Sequence, residues 1–315
     1  MTKNIDWHAR IGRRLRLRDL HVLFTVAELG SMAKAGARLG VSQPAVSEVI
    51  ANLEHAVGAQ LLDRTPKGVV PTIYGRALLK RSVAAFDELH QGIRDIEFMS
   101  DSATGELRLA CPESIAAAVL PPVIEQLSRK YPRVVLHVTQ VKNPTQQFSE
   151  LRERNLDLVL ARLLPAPASD TLDDLNVDVL FNDRLVIAVG TESPWARRRK
   201  IVLADLVDEP WVLTPENTWN SFLLDEAFRA AGLPMPRISI VAFSLHLRIH
   251  LLTTGRHVTA FPNSVLRLNE KRFSLKALPV EMPARPWPIA IVTLRNRTLS
   301  PVVGVFIESL RACMR

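Results

Sequence analysis

"GVSQPAVSEVIANLE", residues 40–54, opens with Ser42, Gln43, Pro44 and Ser47 and gathers Val46, Val49, Ile50 and Leu53 on the opposite side. Those four apolar residues stand at i, i+3, i+4 and i+7, the signature of one helical face against a core. Ser42 stands where an N-cap belongs, and Pro44 falls in the first turn, where a missing N–H costs nothing. The helix is therefore anchored along one side and shows small hydrogen-bonding side chains at its leading end.

Upstream, LRDLHVLFTVAELG (17–30) carries Leu20, Leu23, Phe24, Val26 and Ala27 in helical register, with Gly30 as its stop. Ser31 is a capping residue for the next helix, SMAKAGARLG (31–40), in which Ala33, Ala37 and Leu39 are the expected packing residues, Ala35 and Gly36 permit close approach, and Gly40 closes the turn. Two short helices joined by a tight turn, the second with a polar leading end, form the pattern of a helix-turn-helix. Its second helix enters the DNA major groove by the N-terminal end, so that end needs side chains that reach base edges and phosphates. Gln43 suits adenine N6 and N7; Ser42 and Ser47 suit phosphate or either base type. Downstream, VGAQLL (57–62) reads as a strand, TPKG as a hairpin tip and VVPT (69–72) as the returning strand, a wing whose Arg64 and Lys67 can reach the flanking backbone or minor groove.

Charge supports that reading. Residues 1–81 hold 13 Lys and Arg against 6 Asp and Glu, a net +7, whereas residues 82–315 hold 27 against 26, a net +1, out of the chain's +8. A basic module attached to a near-neutral one points to a polyanion, and nucleic acid is the usual one.

Residues 73–99, IYGRALLKRSVAAFDELHQGIRDIEFM, carry Leu79, Val83, Phe86, Leu89, Ile93 and Ile96 at spacings averaging close to a heptad's half-period, which predicts a helix that seams against another helix. DSATGE (101–106) is small and polar and reads as a hinge. Beyond it, short apolar runs alternate with helical patterns. The expected strands are 107–112, 134–141, 156–162, 177–190, 210–214, 238–242, 257–262 and 286–294, with helices around SIAAAVLPPVIEQLSRKY, TQQFSELRERN, NSFLLDEAFRAAG, LHLRIHLLTTG and SPVVGVFIESLRACM. Repeated strand-then-helix order means an open α/β sheet, and two successive sets with crossing segments mean two lobes. Ligands of such sheets sit at strand carboxyl ends beside helix N-termini.

The run from Asp19 to Leu79 resembles the DNA-binding domain of LysR-type transcriptional regulators along its length, through Phe24, Gly30 and Ser31, Ala33 and Ala35, "LGVSQPAVS", "LE" at Leu53 and Glu54, "VGAQLLDR" and Pro71, Thr72 and Gly75. Gly36, Leu62 and Tyr74 depart from its usual residues. The stretch from Gly105 onward resembles the effector domain of the same family, built like periplasmic solute-binding proteins, through "GELRLACPESIAAAVLPPVIEQLSRKYPRVVLHV", "LDLVLAR", "LVIAVGTESPWARRR" and "DLVDEPWVLTPENT". TGRHVTAFP, with Arg256 and His257, departs from that family's small residues. The resemblance implies an α/β protein with an N-terminal winged helix-turn-helix (1–75), a linker helix and hinge (76–104) and a two-lobed effector domain (105–315). It implies DNA contacts at Ser31, Ser42, Gln43, Pro44, Ser47, Arg64, Lys67 and Thr72, with double-stranded promoter DNA as partner. Effector contacts would fall at the strand-end positions Ser114, Asn143, Thr145, Arg162, Thr214, Asn217 and Ser244. Arg162 offers a carboxylate clamp and Trp219 a ring to stack on, for a carboxylate or sugar-like molecule. The linker helix would pair homodimers or homotetramers, and RNA polymerase would be the partner that reads the result.

Other classes find little support. Cys111 and Cys313 lack the pairing of a disulfide framework or zinc site, as expected in a reducing cytoplasm. No signal core or stretch of about 18 apolar residues predicts export or a membrane span. His246, His250 and His257 lack an acidic or cysteine companion and read as surface histidines, with no metal and no cofactor. The ARRRK run (196–200) reads as a solvated loop. Nucleophile elbows, phosphate loops and dinucleotide fingerprints are absent, so no enzyme is expected. The two-lobed half alone would equally suit a solute-binding protein or an enzyme whose basic module serves only to oligomerise.

Overall fold

A computed structural model describes residues 15–66, 68–101, 104–141, 144–163, 172–269, 273–283 and 285–314, and the chain divides into two compact units between His90 and Gln91. The first unit holds α1 (Leu17–Leu29), α2 (Met32–Leu39), α3 (Gln43–Val57), the antiparallel hairpin β1 (Leu62–Thr65) and β2 (Gly68–Pro71), and the start of α4 (Ile73–Ser100). Leu23, Val26, Ala35, Val46, Ile50, Leu53 and Leu61 form its core. Ser31 and Ser42 cap α2 and α3, accepting from the backbone N–H groups of Lys34 and Ala45.

Several expected details shift. Phe24 is 40% exposed, and Val22 and Thr25 take the buried positions of α1. On α2 the packed face is Ala35 and Gly36, while Ala33 and Ala37 are exposed. The reason is proximity: a Cβ on Gly36 would stand 2.7 Å from the Val41 carbonyl oxygen. The run VGAQLL is not a strand, because Gly58 ends α3 in the left-handed conformation and Ala59 N–H still donates to the Glu54 carbonyl. Extended pairing begins only at Leu62.

The stripe on α4 has two fates. Leu79 and Phe86 pack onto the first unit's core, Phe86 edge-on to the His21 ring at 6.2 Å. Further along, Leu89, Ile93, Ile96 and Met99 are 49, 55, 63 and 74% exposed. The hinge is shorter than DSATGE, since Thr104, Gly105 and Glu106 already belong to a strand.

In the second unit, the first lobe is a five-stranded sheet in the order β4-β3-β5-β12-β6, from β3 (Thr104–Cys111), β4 (Arg133–Gln140), β5 (Leu158–Arg162), β6 (Leu175–Asp183) and β12 (Trp287–Leu294). Its helices are α5 (Glu113–Lys130), which continues through Pro121 and Pro122, α6 (Pro144–Arg152) and α10 (Pro301–Met314). The second lobe contains β7 (Leu185–Gly190), β8 (Trp211–Leu213), β9 (Ile238–Val241), β10 (Thr259–Pro262) and β11 (Leu275–Ala277), with α7 (Trp219–Ala230), α8 (Leu245–Thr253) and α9 (Asn263–Asn269). Its two ladders, β10-β7-β11 and β8-β9, are joined by a bridge from Trp211 to Val258. β3, β4 and β5 run parallel, whereas β12 is antiparallel to β5 and β6 because the chain re-enters this sheet from the other lobe.

The expected single strand 177–190 is therefore two strands in two sheets, broken at Arg184. Buried Asp183 fixes the crossing by accepting from the backbone N–H groups of Arg184 (2.8 Å) and Ser264 (3.2 Å) and from Ser264 Oγ (2.5 Å). Strand β11 and helix α9 were not foreseen, being too short for periodicity to register.

Candidate functional site

The first unit builds its outer face from capped helices. Gln43 and Pro44 are the first two residues of α3 and are exposed, as is Ser42, whose Oγ accepts from Ala45 N–H at 3.4 Å. Ser31 Oγ accepts from Lys34 N–H at 3.4 Å. Ser47 is half-buried and turned toward α2, its hydroxyl 3.1 Å from Met32 Sδ. Arg64 is exposed on β1 opposite Val69, on the strand and not at the hairpin tip. Thr72 Oγ1 donates to the Gln60 carbonyl at 2.7 Å and accepts from Gly75 N–H at 3.0 Å, so it works as the cap of α4. Lys67 lies outside the described residues.

What holds this face is a residue to which the sequence reading gave no role. Glu54 Oε1 accepts from the backbone N–H groups of Leu61 (2.7 Å) and Leu62 (3.2 Å), tying the end of α3 to the start of the wing. The other wing strand is tied to α1: Val69 N–H donates to the Gly30 carbonyl at 2.8 Å, and a Cβ on Gly68 would stand 2.4 Å from that oxygen. Leu61 also approaches α4, where a Cβ on Gly75 would meet its carbonyl oxygen at 2.0 Å. This half-buried carboxylate accepting two backbone N–H groups has its sequence signal in the Leu53-Glu54 pair, which gives the position but not the contact.

In the second unit a cleft of about 460 Å³ lies between the lobes. Three helices begin on it. Glu113 and Ser114 open α5, Trp219 and Asn220 open α7 behind the cap Thr218, and Leu245 opens α8 behind the cap Ser244. The first N–H groups of a helix lack internal acceptors and carry the positive end of its dipole, so the cleft favours negative charge. Arg162, the last residue of β5, reaches from the first lobe across to the second. Its Nη2 donates to Ser114 Oγ at 2.5 Å and its Nη1 to Asn220 Oδ1 at 3.2 Å, while its Nε is buried without a partner. Burial pushes the Arg162 guanidinium down to about 10, against the opposing pull of Asp183, so it stays charged near neutrality. Trp219 Nε1 is a second buried donor without a partner, and the Trp219 ring stacks on Phe222 at 5.2 Å.

Arg248 on α8 is also at the cleft, but its Nε and Nη2 are engaged: Nε donates to Thr259 Oγ1 at 3.3 Å, and Nη2 donates to Thr259 Oγ1 at 2.7 Å and to the Ala260 carbonyl at 2.5 Å. Burial pushes it down to about 10, the charge of Glu113 acting the other way. Glu113 Oε2 in turn accepts from Leu245 N–H at 3.2 Å, a latch between the lobes.

Of the eight effector positions expected, Ser114, Arg162, Thr214, Asn217 and Trp219 line the cleft. Ser244 does not; it is exposed and its Oγ accepts from Leu247 N–H at 3.2 Å. Asn143 lies outside the described residues, as does the side chain of Thr145. Glu113, Asn220, Phe222, Phe243, Arg248 and Phe261 were not foreseen. Asn220 and Glu113 adjoin predicted positions, and a wider window at each helix start would have found them.

The Cys111 thiol is buried and pushed up to about 12 by desolvation, which keeps it protonated and unreactive. His246 and His250 are exposed, their Nε2 atoms 3.1 Å apart. Among the described residues no group of three or more potential ligands is placed to hold a metal ion, and no helix is long and apolar enough to cross a membrane.

Residues 17–76 match the family model of the bacterial regulatory helix-turn-helix protein, lysR family, and residues 100–315 match the LysR substrate binding domain. The chain belongs to the LysR family. It is a DNA-binding transcriptional regulator with a substrate-binding domain, which removes the solute-binding and enzymatic alternatives. Among its relatives, the HTH-type transcriptional regulator YfeR of Shigella flexneri is 33% identical over 94% of this chain and 93% of its own. A full-length OxyR variant from Pseudomonas aeruginosa shares the fold, with a TM-score of 0.61 and 20% identity over 94% of this chain and 95% of its own. Full-length CbnR in complex with its target DNA matches with a TM-score of 0.52 and 22% identity over 96% of this chain and the whole of its own.

Proposed function

We propose that this LysR-family regulator binds double-stranded promoter DNA through Gln43, Pro44, Ser42 and the wing residues Arg64 and Lys67, and that a small molecule held between the lobes of residues 105–315 controls its output. Ser31, Ser47 and Thr72 contribute by fixing the helices and backbone that carry these contacts. The functional modules are residues 1–75, 76–104 and 105–315. The observation that carries the reading is Arg162, a charged group reaching across the cleft with an unpartnered donor, bonded to Ser114 of one lobe and Asn220 of the other. A ligand there changes contacts on both sides at once, and only such differential contact can shift a conformational equilibrium.

The exposed run Leu89, Ile93, Ile96 and Met99 supports pairing of α4 with a second copy, giving a homodimer or homotetramer that grips two half-sites. The protein acts in the cytoplasm, where its DNA and RNA polymerase are found. The CbnR complex, a relative in fold held on its target DNA, supports the same use of the N-terminal unit.

The test is fluorescence anisotropy of the full chain on the DNA upstream of its own gene, with scrambled DNA as competitor, with and without a small-molecule extract of the source cells. Gln43→Ala should relax preference at one base pair, and Arg64→Ala should weaken binding evenly across sequences. The extract should change operator affinity. Variants indistinguishable from wild type would refute this DNA face, and an inert extract would refute effector control.

A further inference from the structure

We infer that the cleft takes a small monocarboxylate with a flat, apolar body, an inference that rests on the effector reading above and narrows it to a ligand class. The charge comes first. Arg162 donates to two neutral partners, Ser114 Oγ and Asn220 Oδ1. Asp183, whose charge acts on Arg162, is already engaged by Ser264 and the Arg184 backbone. An enclosed guanidinium with an unpartnered Nε is a site for a planar anion that accepts two parallel hydrogen bonds. The openings of α5 and α7, which hold Ser114 and Asn220, add further N–H donors on either side.

A single negative charge fits and two do not. The other guanidinium at the cleft, Arg248, has its fork committed to Thr259 and Ala260 and lies 4.5 Å over the Phe261 ring. Glu113 and Glu216 place two carboxylates on the same cleft, enough to offset the charge of Arg248 and to repel a second anionic group. A phosphate monoester or dicarboxylate is disfavoured on that ground. Thr214, Glu216, Asn217 and Thr218 make one polar stretch of the wall, and Val141, Phe222, Phe243, Leu245 and Phe261 make an apolar one, with the Trp219 and Phe222 rings already stacked. A neutral sugar can stack on Trp219 but gives the guanidinium no direct ion-pair partner. A flat ring or conjugated chain bearing one carboxylate meets both requirements within the cleft's volume of about 460 Å³.

The experiment uses the full chain and phenylacetate as probe, read by calorimetric titration and by melting temperature. Phenylacetamide keeps the shape without the charge, cyclohexylacetate keeps the charge without the flat ring, and glucose and inorganic phosphate represent the excluded classes. Phenylacetate is expected to bind and raise the melting temperature, with phenylacetamide weaker by roughly tenfold or more and cyclohexylacetate by a few-fold. Arg162→Met should abolish binding, and Ser114→Ala, a gentler change, should weaken it several-fold. Glucose or phosphate binding as tightly as phenylacetate, or equal binding of the amide, would overturn the class. Retained phenylacetate binding in both variants would overturn the site. Failure of phenylacetate to bind while the cell extract still alters operator affinity would overturn the ligand class and leave effector control standing; failure of both would remove both.

Discussion

The two units differ in what their buried polar groups leave unused. In the DNA-binding unit, Ser31, Ser42, Thr72 and Glu54 each bond a backbone group of the same unit, and Gln43 and Arg64 are left facing outward. In the substrate-binding unit, the buried donors Arg162 Nε and Trp219 Nε1 sit at the cleft with nothing to bond. A buried donor without an acceptor costs about 1–3 kcal/mol, so the first arrangement is complete without a ligand and the second is not. The reading face is preorganised for a partner that meets it at the surface, whereas the cleft holds unused bonding capacity that a ligand can convert into a preference for one arrangement of the lobes.

That contrast can be broken by substitution. The largest effect is expected of Gly75→Ala, because its Cβ would stand 2.0 Å from a backbone oxygen that cannot move without shifting the wing. A loss of about 3 kcal/mol or more in the stability of the DNA-binding unit, read by chemical denaturation, is the expected result. Glu54→Ala should follow with about 1–3 kcal/mol, since two backbone N–H groups lose their acceptor. Gln43→Ala should leave the melting temperature unchanged and cost about 1–3 kcal/mol of discrimination at one base pair, read by competition among operator variants.

Arg162→Met sharpens the comparison from the other side. Removing a buried charge that is hydrogen-bonded only to neutral groups, and whose desolvation outweighs the pull of Asp183, should leave the melting temperature of the ligand-free chain equal or higher, whereas the same loss of polar groups in the DNA-binding unit lowers it. The smallest expected effect is a null one. With Arg162 at about 10 the guanidinium remains protonated, and a carboxylate ligand remains ionised, so ligand affinity should be flat between about pH 6 and 9. A rise in affinity on acidification through about pH 6.5 would point to a histidine and against Arg162.

The sequence made the DNA-binding unit legible because its signals are local. Caps, glycine stops and an i, i+3, i+4, i+7 stripe act within a few residues, and Ser31, Gly30, Ser42 and Pro44 stand in the roles their types predict. The errors there came from contacts between elements. Gly36 is buried because α2 meets the Val41 carbonyl, and Leu61 is held by Glu54 seven residues earlier, neither of which periodicity encodes. In the second unit, helix starts on the cleft were readable at Ser114 and Trp219, but Phe243, Arg248 and Phe261 reach it from elements whose orientation depends on the crossing at Asp183. The unbroken apolar text from Val177 to Gly190 hid that crossing, since a residue pair that changes sheet looks locally like a continuing strand.

The most direct measurement is the operator affinity of the full chain at low and moderate salt, roughly 50 and 200 mM, against scrambled DNA. A face that meets several phosphates beside the outward Gln43 and Arg64 predicts sequence-selective binding that falls by orders of magnitude over that range. Binding that is absent at both salts, or that ignores both salt and sequence, would contradict the account.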